Sequence, residues 1–159
     1  MADITVDAKT RVAFVAGIAN NAAPTVAELN AGILLQTTMR PDGLVGFEAD
    51  TADVDNSSLA SDFDTVTVGR DSFSGTLLRL KKQSGTDTIY DTLTKGTTGY
   101  IVVRRYLAQA TSWAAGQKVN VYPVTFGRER ELAPESNMVA MYEVPAKISS
   151  EPTLRATVA

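Results

Sequence analysis

The sequence predicts a mainly β fold, a β-sandwich of about seven to eight strands with one flanking α-helix, and three observations carry this. Short apolar runs alternating with period two recur along the chain, most clearly in Gly99–Tyr106 and Val119–Phe126. Gly, Pro, Asn and Asp clusters punctuate them. Only the stretch from 86 to 95 has a full set of helix signals. At 159 residues the chain is most simply a single domain, long enough to bury about two thirds of its unfolded surface.

In chain order, residues 1–9 form an N-terminal arm too polar to fold alone, and Arg11–Ala16 reads as the first strand. Asn20, Asn21 and Pro24 break it. Thr25-Val-Ala-Glu28 has capping-box spacing and opens a short helix through Leu29, with an ordered loop as the alternative. Met39-Arg-Pro-Asp-Gly43 is turn chemistry, and Leu44–Ala49 is a half-buried strand with Val45 and Phe47 on one face. Residues 50–62 offer only Val54 and Leu59 for burial, which predicts a long acidic loop. Phe63–Val68 and Ser72–Leu80 read as two strands joined by a hairpin turn at Gly69-Arg70-Asp71, ending at solvent on Lys81 and Lys82.

The organising unit runs from Thr86 to Phe126. Thr86 or Ser84 is placed to cap the helix, Asp87 suits the positive end of its dipole, and Lys95 and Gly96 close it. Ile89 and Leu93 share one helical face and predict packing on a sheet, because a helix this short does not persist alone in water. The strand Gly99–Tyr106 places Tyr100 and Val102 on one face and Ile101 and Val103 on the other, as in a central strand covered on both sides. In Val119–Phe126 the apolar phase changes at Pro123, which predicts an edge or a bulge there. Gly127–Glu131 is a charged extension, Asn137–Val144 is a further strand, and residues 145–159 form a C-terminal segment punctuated by Pro145 and Pro152.

The series Asp87-Thr-Ile-Tyr-Asp-Thr-Leu93, Gly99-Tyr-Ile-Val-Val-Arg104, Ala115-Gly116, Val121-Tyr-Pro-Val124 and Glu151-Pro152 resembles the major tail proteins, or tail tube proteins, of long-tailed bacteriophages. The likeness spans roughly residues 8 to 159 and is densest between 86 and 127. It implies a β-sandwich with a flanking helix, and a structural virion protein that self-assembles into stacked hexameric rings. It further implies a tube through which genome DNA is ejected, with a tape-measure protein and tail terminator or initiator proteins as partners, and virion localisation after synthesis in the host cytoplasm. The alternative from the residues alone is a β-sandwich binding module that presents loops to a carbohydrate or a host surface.

Composition excludes several chemistries. With neither cysteine nor histidine, the chain lacks disulfides, zinc-thiolate ligands and the usual general base near neutral pH. No enzyme activity and no cofactor are expected. A net charge of −3 argues against a protein built to grip phosphate, leaving passive contact with DNA. The longest apolar run, Val12–Ala19, is far too short to span a membrane, and Asp3 and Asp7 spoil a signal peptide. Asp53-Val-Asp-Asn-Ser57 with Asp64 has acids at calcium-loop spacing but Ser58 where the tight turn needs glycine. Asp62 and Asp64 lack the cleft that would make them a glycosidase pair. Arg104 and Arg105 beside Tyr100 and Tyr106 suggest a base-stacking platform, but adjacent strand residues face opposite sides and suit pairing with acids at an interface.

What remains is charge asymmetry. Residues 42–64 hold seven acids and no base, while 76–105 hold six bases and two acids. Glu48, Asp50, Asp53, Asp55, Asp62 and Asp64 are therefore candidate assembly or lumen acids. Arg79, Lys81 and Lys82 are the candidate complementary basic edge on a neighbouring subunit. Ile89 and Leu93 are the candidate helix-packing residues.

Overall fold

The computed structural model describes residues 1–159 and is mainly β, a curled sheet with two small helices. Its spine is the pair predicted from the apolar runs. Strand β7 (Thr98–Arg105) pairs antiparallel with β8 (Lys118–Phe126) on one side and with β1 (Thr10–Val15) on the other. The two-residue β2 (Ile33–Leu34) closes that end. Beyond β8 the order continues through β10 (Met141–Ile148) and β6 (Leu77–Lys81) to β3 (Met39–Val45). β11 (Thr153–Thr157) joins β8, and β9 (Arg130–Glu131) joins β10.

β10 is the corner of the sandwich. Its first half, Met141–Pro145, pairs with β6, and its second half, Ala146–Ile148, pairs with β8. The sheet thus folds over, and the larger core fills the space between its halves: Phe14, Ile101, Val103, Tyr122 and Phe126 from one side meet Leu78, Leu80, Tyr142 and Val144 from the other. A second core lies on the outer face of β1, β7 and β8, where Ala13, Val15, Val102, Val119 and Val121 are covered. The cover is Leu29 of α1 (Val26–Asn30), Trp113, and Ala156 and Val158 of the C-terminal segment. β7 is apolar on both faces because it separates the two cores, as its neighbours β1 and β8 also do.

The phase change in β8 has the same cause. Val119 and Val121 belong to the outer core while Tyr122, Val124 and Phe126 belong to the inner one, yet the ladder to β7 stays in register from Thr98↔Thr125 to Val103↔Asn120. The strand does not re-aim its side chains; the covering changes. Pro123 sits where the outer edge of β8 passes from β11, at Val121, to β10, at Val124. Its missing N–H therefore interrupts no ladder, and its carbonyl accepts from the Ser149 N–H at 3.0 Å.

Three sequence expectations are corrected. The helix is α2 (Thr88–Thr92), five residues long, with Asp87 as its N-cap and Leu93 as its C-cap, so neither Thr86 nor Ser84 caps it and Lys95 lies beyond it. The hairpin across Gly69-Arg70-Asp71 does not form. Those residues lie inside β5 (Val66–Ser72), whose partner is β4 (Asp50–Asp55), so the expected acidic loop begins as a strand. The last long strand, placed at Asn137–Val144 from its alternation, instead starts at Met141 and continues through Pro145 to Ile148.

Glycine explains two of the irregular ladders. At Gly43 a Cβ would meet the carbonyl oxygens of Arg40 and Arg79, both at 2.8 Å, where β3 shifts register between Met39 and Leu44. The turn signal at 39–43 is thus spent on a bulge inside a strand. At Gly69 a Cβ would stand 2.7 Å from the Ala52 carbonyl oxygen, beside the register shift between Thr51 and Asp53. By contrast the capping box at Thr25 is fully formed: the Glu28 N–H donates to Thr25 Oγ1 at 3.2 Å and the Thr25 N–H donates to Glu28 Oε2 at 2.9 Å.

Candidate assembly surfaces

The β4–β5 hairpin is a two-stranded sheet separate from the main one, and all but one of its strand residues are exposed. An isolated hairpin is marginal in water, so its backbone ladder alone is a weak reason for it to exist. Register puts Asp53 opposite Val68 and Asp55 opposite Val66, so one face carries two acids beside two valines. Val68 is 77% exposed, and Phe63 at the tip is 73% exposed. Asp50, Asp53, Asp62 and Asp64 form no salt bridge, nor does Glu48 just before β4. Asp55 caps the Ser57 N–H at 2.8 Å, and hydrogen bonds from the Ser57 side chain and backbone hold its carboxyl below the usual range.

The basic edge is divided. Arg79 is bound within the chain, its Nη1 3.1 Å from Asp42 and its Nε 3.0 Å from Glu143. Glu143, buried, also takes Arg130 at 2.6 Å. Lys82 Nζ reaches buried Asp87 at 3.3 Å and lies 4.6 Å from the Tyr90 ring centroid. Lys81 has no ion-pair partner. The packing pair does reach the core: Leu93 is 1% exposed within it and Ile89 packs against it half-buried.

Sequence reasoning missed a second cationic cluster. Arg11 and Arg104 stand directly opposite each other in the β1–β7 ladder, and their Cζ atoms lie 5.1 and 5.2 Å from the Trp113 ring centroid. Arg104 is 1% exposed and donates to the carbonyls of Ser112 and Ala108 and to Gln117 Oε1, while Arg11 donates to the Gln109 carbonyl at 2.7 Å. The pair thereby ties the 108–117 loop to the sheet. Burial, and then the charge of Arg11, push the Arg104 guanidinium below its ordinary value. As expected of neighbours in a strand, Arg105 points away and is exposed. The partnership of Arg11 with Arg104 depends on strand register, and no local signal in the sequence announces it.

A family model described as phage tail tube protein matches residues 1–159. The chain belongs to that family. It is therefore a structural phage tail protein and not an enzyme, made to assemble with other tail proteins as part of a virion. No helix of this tail tube protein is long and apolar enough to cross a membrane. Its fold is similar to a chain in the cryo-EM structure of the anti-feeding prophage (AFP) baseplate, 6-fold symmetrised, with TM-score 0.59 and 10% identity over 96% of each chain. No curated protein matches the chain.

Proposed function

We propose that the chain builds stacked hexameric rings whose bore conducts the genome during DNA ejection, in contact with a tape-measure protein and with tail terminator or initiator proteins. The exposed β4–β5 hairpin carries this reading. A projecting two-stranded sheet with valines and phenylalanine turned to solvent gains little as a monomer and gains apolar burial when another subunit covers it. Membership of the tail tube family supports this kind of assembly, and the sixfold symmetry applied to the similar baseplate structure supports six as the ring number. Within this reading the acids of residues 48–64 divide between subunit contacts and the bore, where negative charge keeps phosphate from sticking.

Negative-stain electron microscopy of the purified protein, alone and with tail-initiation and tape-measure proteins, tests the proposal. Rings of six subunits stacking into tubes are expected. A protein that stays monomeric by sedimentation in every mixture refutes it.

A further inference from the structure

The ion pairs of this chain are unevenly distributed. Every salt bridge lies on β3, β6, β9, β10 or the start of α2: Arg40 and Arg79 with Asp42, Arg79 and Arg130 with Glu143, Lys82 with Asp87. Where β1 begins and β7 ends, Lys9, Arg11, Arg104 and Arg105 gather around the register pairs Thr10↔Arg105 and Arg11↔Arg104, and none of the four has a carboxylate partner. Like charges set directly opposite in a ladder are destabilising, so the arrangement costs the monomer. Three buried donors there are also without acceptors: Arg11 Nε, Arg104 Nε and Trp113 Nε1. Buried donors left without partners call for an explanation.

The hairpin is the converse. Residues 50–72 carry six aspartates against one arginine, and the remainder of the chain holds fourteen cations against twelve acids. Lys9 and Arg105 also line an open groove of about 890 Å³ that runs past Tyr106 to Gly46 and Glu48, just ahead of β4. The groove contains acids of its own, Asp7, Asp42 and Glu48, but Asp42 is already neutralised by Arg40 and Arg79. Tyr106 at its wall is 63% exposed and held at φ 67°, a left-handed conformation that a non-glycine residue keeps only when its surroundings impose it. The surroundings are the next few residues, whose carbonyls at Ala108 and Gln109 are gripped by Arg104 and Arg11.

We propose that this cationic end of the β1–β7 pair, with the groove beside it, is the receptor for the acidic β4–β5 hairpin of a second copy of this chain. The inference rests on the assembly reading above and names the surface the hairpin meets. Arg105 and Lys9 take the aspartates at the mouth. Arg11, Arg104 and Trp113 hold the 106–117 loop in the shape that Tyr106 presents to the valines. Because donor and acceptor surfaces differ, the contact is heterologous, of the kind that propagates into closed rings or open stacks.

Charge exchange in the full chain tests it, with assembly read by sedimentation velocity and folding by thermal melts. Arg105→Glu combined with Lys9→Glu leaves the melt unchanged and raises the concentration needed for assembly about tenfold or more. Asp53→Lys with Asp55→Lys does the same, and the four changes together restore assembly. Wild-type assembly with no effect of the cation reversals, or a loss that hairpin reversal does not rescue, overturns the inference while leaving the assembly reading intact. A wild-type chain that never assembles overturns both. If the cation reversals leave tubes intact but reduce retention of a labelled DNA duplex, the cluster serves DNA and not a second copy.

Discussion

At the scale of single residues, the informative atoms are buried polar ones. Tyr142 is 1% exposed, and its ring meets that of Tyr90 edge-on at 5.0 Å, but its hydroxyl finds no acceptor. Burial, and then the negative field of Asp87, hold that phenol above its ordinary value. Tyr142→Phe keeps the ring contact and removes the unpaired hydroxyl, so it is expected to stabilise the chain by about 1 kcal/mol in urea titrations. A loss of similar size would reveal an acceptor for the hydroxyl. Asp87 is the opposite case, a buried carboxylate with every role filled. It takes N–H groups from Gln83 at 2.9 Å and Tyr90 at 3.2 Å, and Lys82 at 3.3 Å. Burial pushes its carboxyl up, but those two N–H donors and then Lys82 outweigh it and leave it below its ordinary value. Asp87→Ala should cost about 1 to 2 kcal/mol at neutral pH, as for other helix caps. The sign of the pH dependence follows from the lowered folded value. The ionic contribution is whole above the unfolded value near 3.8 and disappears as pH falls through the folded one, so the gap between wild type and Asp87→Ala should narrow in acid below about pH 3.8. A gap that stays constant through that range would show that the charge adds nothing.

At the scale of elements, α2 and the β4–β5 hairpin make opposite predictions. α2 is barely more than a turn, and its weight rests on Leu93, 1% exposed in the inner core, rather than on Ile89, which is only half-buried. Leu93→Asp should therefore yield insoluble protein, since an unpaired buried carboxylate costs several kcal/mol against a total stability of about 5 to 15. Ile89→Asp should stay soluble with a lowered melting temperature. Soluble, fully folded Leu93→Asp would remove α2 from the core. The hairpin, with all but one strand residue exposed, adds nothing to either core. Replacing residues 56–65 by a short turn should leave the melting temperature unchanged and abolish rings in electron micrographs. Hydrogen exchange extends the point. Amides of residues 50–62 should exchange freely in the monomer and become protected in tubes, because ordering costs about 1 to 2 kcal/mol per residue and only a neighbour supplies the apolar contact to offset it. Equal protection in both states would exclude the hairpin from the assembly contact.

At the scale of the whole molecule, the salt bridges within the chain leave the aspartates of the β4–β5 hairpin and the cations where β1 begins and β7 ends without an ionic partner. Surface ion pairs contribute little to folding, whereas steering between oppositely charged surfaces is sensitive to salt beyond about 8 to 10 Å. Raising ionic strength should therefore leave the monomer's melting temperature nearly constant and shift assembly, followed by light scattering, to higher protein concentration. Assembly insensitive to salt would assign the contact to apolar burial alone.

The sequence by itself determined the mainly β class, the central strand at Gly99–Tyr106 and the capping box at Thr25, because alternation and caps are local properties. Leu93 was legible as a packing residue for the same reason. The β4–β5 pairing was not, since a ladder between exposed strands is made by backbone groups and leaves no apolar pattern behind. Neither was the pairing of Arg11 with Arg104, or the capture of Arg79 by Asp42 and Glu143. Those contacts join residues dozens of positions apart, and their partners are chosen by strand register. Register belongs to the folded sheet as a whole, so only the tertiary structure decided which charges are spent inside the chain and which remain for another subunit.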